Sequence, residues 1–242
     1  MTYDDVMKLA LERGFYFPSS EIYADAQAGF WEYGPSGVSL KNKFLELWRR
    51  ELVRRDKMIE IDGSQIMSKS VFDASGHLAS FADPIVRCKK CKSTHRADKI
   101  IVEVSQIEIP ESADLDEFDK TIVEKNIKCP KCNGDFENAK KFNMMFEVGI
   151  GPEGESAYLR PETCQSIFVD FPRIFKTMRG KLPLGIAQTG KSFRNEIAPR
   201  QSLLRLREFY QAEIEVFCNP AKLNDLGKFS EIKDTKIRIQ ID

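Results

Sequence analysis

The segment Gly190–Phe217, GKSFRNEIAPRQSLLRLREFYQAEIEVF, restricts the possible folds of this chain more than any other stretch. It alternates at period two on both sides of a short connection, and residues two apart share one face of a strand. On the second arm Ala212, Ile214 and Val216 fall on one face; Arg207, Phe209, Gln211, Glu213 and Glu215 fall on the other. On the first arm Arg194 and Glu196 oppose Phe193, Asn195 and Ile197. Ala198-Pro199 interrupts the first arm, because proline has no N–H for a ladder. Arg200, Arg205 and Arg207 make the connection cationic.

A strand face of carboxylates and an amide is costly to bury without partners. Guanidinium forks bind phosphate oxygens two at a time, a ring such as Phe209 stacks on a purine, and paired carboxylates hold an ammonium group. Taken singly, each of these side chains is as commonly a solvated surface residue. Together, Phe193-Arg194-Asn195-Glu196, the basic loop, Arg207-Glu208-Phe209 and Gln211-Ala212-Glu213-Ile214-Glu215 resemble motif 2 of the class II aminoacyl-tRNA synthetases. The wording is nearest to that of the glycyl-tRNA synthetases.

Further phrases share that resemblance. The helical spacing from Pro35 to about Met58, with Leu40, Phe44, Leu47, Trp48 and Leu52 as one apolar stripe, is followed by strand-like Met58–Asp62. Alone, the stripe predicts an ordinary core helix; beside motif 2 it looks like motif 1, the dimer element of the class. Ser75-Gly76-His77, Phe81-Ala82-Asp83, Arg96-Ala97-Asp98 and Arg160-Pro161-Glu162-Thr163 also match, the last being the most specific outside motif 2. By itself His77 reads as a hydrogen-bonded structural histidine.

The resemblance implies an α+β fold, an antiparallel β-sheet flanked by helices, and a ligase that activates glycine with ATP before transfer to tRNA(Gly). It implies Arg194 and Glu196 as catalytic residues. ATP contacts would come from Arg194, Asn195, Glu196 and Phe209, with Leu204, Arg205 and Leu206 from the loop. Glycine contacts would come from Glu162, Glu213, Gln211 and Arg96. Mg2+ would accompany the phosphates, and the protein would be a homodimer.

Four of the six cysteines form two Cys-x-x-Cys pairs, Cys88/Cys91 and Cys129/Cys132. Without a secretion signal, this spacing favours thiolates on a structural Zn2+ over disulfides. The long separation of the pairs is tolerated because loop closure costs grow only logarithmically. The predicted organisation is a first core segment 1–86, a small zinc-ribbon-like insertion 87–141, and a second core segment 142–242. Cys164 and Cys218 read as small core residues.

Other expectations are local. Thr2 and Asp5 predict an N-capped helix ending at Gly14, and Gly14–Tyr23 an aromatic strand. Ile100–Ile107 reads as a strand, Glu108–Asp119 as an acidic surface excursion, Phe142–Phe146 as a buried strand, and Lys236–Ile241 as strand-like. Lys+Arg and Asp+Glu are both 37, so whole-chain charge offers no support for nucleic acid and any tRNA contact must be local. No apolar run approaches the roughly 20 residues of a membrane span, and the charged start is unlike a signal peptide, which predicts a cytoplasmic protein.

No phrase after Phe217 matches motif 3 of the class, and no anticodon-binding domain is recognisable. The chain is therefore expected to be an amino-terminal part, a half completed by a second chain that supplies motif 3, or a short paralogue, and inactive without that segment. The competing class is a non-enzymatic, zinc-containing RNA-binding or regulatory module.

Overall fold

A computed structural model describes residues 2–236 except 111, 198, 200, 201, 223–230 and 232. The strand-like tail 237–241 and Arg200 lie outside the described residues, as does Ala198.

The chain opens with α1 (Tyr3–Glu12), closed at its start by a reciprocal cap. The Thr2 hydroxyl accepts from the Asp5 N–H at 3.2 Å, and the Asp5 carboxylate accepts from the Thr2 N–H at 2.8 Å. A two-stranded sheet follows, β1 (Tyr16–Pro18) antiparallel to β2 (Trp31–Tyr33). The aromatic strand is thus three residues long, and Ile22 and Tyr23 beyond it are exposed. Next comes α2 (Pro35–Trp48), continued by a π-helical turn, Arg49–Arg54. A Cβ on Gly37 would sit 1.8 Å from the Phe15 carbonyl oxygen, so only glycine lets α2 start against the β1 approach.

Then come β3 (Ile59–Ile61), β4 (Ile66–Ser68), α3 (Lys69–Ala74), α4 (His77–Ser80), β5 (Ala82–Arg87) and β6 (Thr94–Arg96). After them lie α5 (Ala97–Ser105), α6 (Leu115–Glu124), β7 (Lys140–Asn143), β8 (Phe146–Ile150) and β9 (Glu155–Leu159). The described part closes with α7 (Cys164–Thr177), β10 (Leu184–Phe193) and β11 (Glu208–Phe217). The long hairpin β10–β11 pairs from Leu184↔Phe217 to Phe193↔Glu208, and β3 adds to β10 in parallel. Antiparallel β4–β9–β8 and β6–β5–β7 form two further three-stranded sheets. The architecture is α+β, with mainly antiparallel sheets and helices, as the resemblance implied.

Two expectations fail within residues 87–141. Ile100–Ile107 is not a strand: Ala97, Ile100 and Ile101 follow helical spacing and are buried on α5. A short apolar run fits either period until its partners are known. The acidic stretch is not a surface excursion. Its second half forms α6, which buries Phe118 and Ile122 beneath an acidic outer face, while the Asp119 carboxylate accepts from the Ala139 N–H at 2.7 Å.

The hairpin differs too. Its first strand begins six residues before Gly190 and ends at Phe193, so Arg194 and Glu196 lie past the ladder rather than on a strand face. The expected Phe142–Phe146 strand divides into β7 and β8, where the Asn143 side chain accepts from the Met145 N–H and breaks the run.

Candidate active site

Three segments converge on the polar face of β11: the end of β10, the turn Arg160–Thr163 after β9, and α4. Arg160 anchors them. It is 1% exposed and donates from Nε to the Lys191 carbonyl at 2.9 Å and from Nη1 to the Gly63 carbonyl at 3.0 Å. The Gln188 amide oxygen, turned toward its donors, accepts from Arg160 and from the Gly63 N–H at 3.2 Å. Burial lowers the Arg160 pKa, opposed by Asp62 and Glu213. A Cβ on Gly190 would lie 2.2 Å from this guanidinium, so glycine there leaves the space that the cation fills.

The Glu162 Oε1 atom accepts from Cys164 Sγ at 3.0 Å and Gln165 Nε2 at 2.5 Å, and lies 3.3 Å from His77 Nε2. No hydrogen bond from the described residues ends on its Oε2. The Glu162 pKa falls from 4.5 to about 2, chiefly through the His77 hydrogen bond, against the opposing effect of burial. Burial, and then Glu162, raise the Cys164 thiol pKa far above its ordinary value, so this cysteine is no nucleophile.

Glu213 reaches the same place from β11. Its Oε2 accepts from the Thr163 N–H at 2.7 Å and from the Thr163 hydroxyl, and its Oε1 from Gln211 Nε2 at 2.8 Å. One oxygen each of Glu162 and Glu213 and the Cys164 sulfur lie within 4.8 Å of one another. Glu215 adds a third carboxylate whose pKa is raised by burial and then by Glu213 and Glu162. Gln165 Oε1 and Gln211 Oε1 are buried without a partner among the described residues, so their dipoles add to the negative potential.

Arg194 borders this acidic pocket. Its Nε donates to the Pro161 carbonyl at 3.1 Å, and its guanidinium carbon lies 5.4 Å from the Phe209 ring centroid and 5.5 Å from that of Phe81. The Asn195 N–H donates to the Met144 carbonyl. Arg205 donates to Glu196 Oε2 from Nε at 2.8 Å and from Nη2 at 2.5 Å, while Arg207 donates to the Glu196 and Ala28 carbonyls. Arg207 thus braces the loop. Leu204 is exposed in a short 3-10 turn, and Leu206 with Phe209 lines a cavity of about 430 Å³ bordered by Lys41, Lys191 and Tyr210.

Arg96 sits apart in character, its guanidinium held by Asp83 at 2.9 Å and by both oxygens of Asp98. Sequence reasoning put His77 in a structural role and missed its pairing with Glu162. The only signal was its place in the Ser75-Gly76-His77 phrase.

The four insertion cysteines also meet. Cys88 and Cys132 sulfurs are 3.4 Å apart, Cys91 and Cys129 3.6 Å, and all four lie within 4.8 Å. Tetrahedral zinc with bonds of about 2.3 Å needs such spacing. Two tight turns present them, with the Lys92 N–H on the Cys88 carbonyl and the Asn133 N–H on the Cys129 carbonyl. The Ser93 hydroxyl draws the Cys91 pKa down to about 6, whereas burial pushes Cys132 up to about 11. Crowded thiols that cannot all ionise together fit a divalent cation. His95 Nε2 is 3.8 Å from Cys129 and 2.8 Å from the Ser93 hydroxyl, so it supports the cluster from beside it. Lys92, next to Cys91, pairs with Glu137 at 3.4 Å.

Residues 145–235 match the family described as tRNA synthetase class II core domain (G, H, P, S and T). Over 98% of its length the chain is 44% identical to a glycine–tRNA ligase of Methanothrix thermoacetophila and 46% identical to that of Pyrococcus furiosus. A Methanococcus maripaludis glycine–tRNA ligase is 45% identical over 96%. The chain is homologous to these ligases and spans about 40% of the length of the curated relatives it matches. Among solved structures, a threonyl-tRNA synthetase RNA binding domain from Cryptosporidium parvum aligns with TM-score 0.53 at 19% identity, covering 93% of this chain and 40% of that one. A Giardia lamblia prolyl-tRNA synthetase aligns with TM-score 0.52 at 16%, covering 96% and 34%. At such identities the likeness concerns the fold, which is that of class II synthetase domains.

Proposed function

We propose that this chain is the part of a glycine–tRNA ligase that binds glycine and ATP, joins them as glycyl-adenylate, and presents the product to the end of tRNA(Gly). The observation that carries the reading is the junction at Pro161-Glu162. Glu162 and Glu213 converge within 4.8 Å, and the Arg194 guanidinium, stacked near Phe209, is tied to the carbonyl one residue before Glu162. An ammonium site and a phosphate site therefore adjoin.

Glycine has no side chain to grip, so selection rests on its charged ends and on exclusion of a Cβ. Glu162 and Glu213 hold the ammonium, with Gln211 steadying Glu213, and the packed Cys164 and Gln165 leave little room for a methyl group. A wall of this kind rejects larger amino acids, whereas an enlarged apolar pocket discriminates poorly against smaller ones. Arg96 completes the glycine set through the segment that Asp83 and Asp98 brace.

The glycine carboxylate attacks the α-phosphorus of ATP and pyrophosphate leaves, a step governed by positioning and charge stabilisation. Arg194 holds the α-phosphate and neutralises developing charge. Phe209 stacks on adenine between Leu204 and Leu206, Asn195 and Glu196 orient the nucleotide, and Glu196 releases Arg205 toward the terminal phosphates. Mg2+ accompanies the phosphates as part of the substrate. Zn2+, held by Cys88, Cys91, Cys129 and Cys132, is closed off from chemistry and shapes residues 87–141, which we assign as an insertion between core segments 1–86 and 142–242.

A homodimer through α2 belongs to this reading. Leu40 and Phe44 are 58% and 62% exposed, beside an apolar groove of about 710 Å³ between α1, α2 and β11. We place the protein in the cytoplasm, and no described helix is long and apolar enough to cross a membrane.

The test is glycine-dependent pyrophosphate exchange by the complete synthetase. Arg194→Ala should lose on the order of 10²–10³-fold in rate with unchanged folding. Wild-type exchange by this variant would remove Arg194 from the reaction; no exchange by the wild-type enzyme would leave a non-enzymatic RNA-binding module as the better account.

A further inference from the structure

Glu162 is held at one oxygen only. Three side chains converge on Oε1, while no hydrogen bond from the described residues ends on Oε2. Two of the three come from Cys164 and Gln165 on the adjoining α7, and the third, His77, crosses from α4.

The His77 ring is itself fixed. Its Nδ1 lies 2.8 Å from the Ser75 hydroxyl and its Nε2 faces the Glu162 carboxylate; because an ionised carboxylate only accepts, the neutral ring places its proton on Nε2 and takes the Ser75 O–H at Nδ1. Phe72 and Phe81 pack against the ring with centroids 6.1 and 5.5 Å away. The His77 carbonyl accepts from Asn143 Nδ2 at 3.3 Å, which pins the backbone. Phe81 also lies under Arg194, so one ring is shared by the histidine at the amino-acid end and the cation at the phosphate end.

We propose that the Ser75–His77 pair is a positioning device for glycine selection: His77 donates from Nε2 to Glu162 Oε1 and so turns Oε2 toward the substrate ammonium. The inference rests on the reading of Glu162 as an ammonium ligand. The low pKa of Glu162 agrees with it, because the carboxylate stays charged for its ligand. Without this donor the carboxylate is free to rotate and to share a thiol or amide proton through either oxygen.

The experiment compares the complete synthetase with its His77→Phe, His77→Gln, Ser75→Ala and Glu162→Gln variants, measuring KM for glycine and for ATP in pyrophosphate exchange. His77→Phe keeps a packed ring and loses the donor; it should raise the glycine KM about 10–50-fold and leave the ATP KM within about 2-fold, as expected for a lost hydrogen bond to a charged group. His77→Gln restores an N–H at similar reach and should recover most of that loss. Ser75→Ala, which frees the tautomer, should raise the glycine KM about 3-fold and carries the test if His77→Phe does not fold.

A wild-type glycine KM in His77→Phe, or a His77→Gln enzyme as impaired as His77→Phe, overturns the proposal. So does an equal rise in both KM values, which marks a structural role. Should His77→Phe not fold, a wild-type glycine KM in Ser75→Ala overturns it as well. If Glu162→Gln itself leaves the glycine KM unchanged, the reading of the ammonium site falls and the inference with it; a defective Glu162→Gln beside a normal His77→Phe sinks the inference alone.

Discussion

The insertion and the hairpin site both bury side chains, and they bury opposite kinds. Around residues 87–141, Val86 of β5 with Ile100, Ile101, Ile109, Phe118, Ile127 and Phe136 close around Cys88 and Cys129 in a dry cluster. At the site the buried groups are Arg160, Thr163, Gln165, Ser166, Gln188 and Ser192. Apolar burial stabilises by about 25 cal/mol per Å² whatever its geometry, whereas each buried polar group must find a partner in a fixed direction. The insertion is therefore organised for stability, and the site for orientation. Its atoms without a partner among the described residues include Ser192 Oγ, Gln165 Oε1 and Gln211 Oε1, the last two on side chains that donate to Glu162 and Glu213.

This contrast can be broken most forcefully by removing metal. Structural zinc contributes on the order of 10 kcal/mol to such folds, so a strong chelator should unfold residues 87–141, read as lost amide-exchange protection on α5 and α6. The β10–β11 ladder should stay protected. Metal analysis giving under roughly half a zinc per chain would remove the premise.

Phe118→Ala comes next. Phe118 is 0% exposed, and truncating it should cost about 3–5 kcal/mol in chemical unfolding while glycine and ATP KM hold. A shifted glycine KM would show the two regions to be coupled, through the contacts of Asn143 with the His77 carbonyl and of Met144 with the Asn195 N–H.

A smaller effect separates them by pH. Glu162 has a folded pKa of about 2 against an ordinary 4.5, so its stabilisation is fully present above about 4.5 and is lost as pH falls toward 2. The stability difference between wild type and Glu162→Gln should shrink across that window. A difference constant from pH 5 to 2 would contradict the His77 pairing. The smallest effect is at the insertion surface, where Lys92→Ala removes the pair with Glu137 and should shift stability by at most about 0.5 kcal/mol.

How much of this could be read beforehand follows the same division. The β11 alternation, the Cys-x-x-Cys turns and the Thr2/Asp5 cap were legible because each is a local pattern with one structural solution. Glu108–Asp119 misled because α6 shows acids outward and hides only Phe118 and Ile122; a core of few residues is invisible without its partners. Ile100–Ile107 misled because three consecutive apolar residues, Ile100-Ile101-Val102, satisfy two periods. The convergence of Glu162 with Glu213 was anticipated through the resemblance, but the His77–Glu162 contact spans 85 positions and left no periodic trace.

The strand that brings the insertion back does not merely close it. At Asn143 and Met144 the chain hands one amide to the carbonyls of His77 and Leu78 and one carbonyl to the Asn195 N–H. Asn143 and Met144 thereby tie the end of β7 to both the His77 turn and the Asn195 turn. The segment carrying His77 and the segment carrying Asn195 are thus referenced to one short piece of backbone, whether or not a metal fills the cysteine cluster.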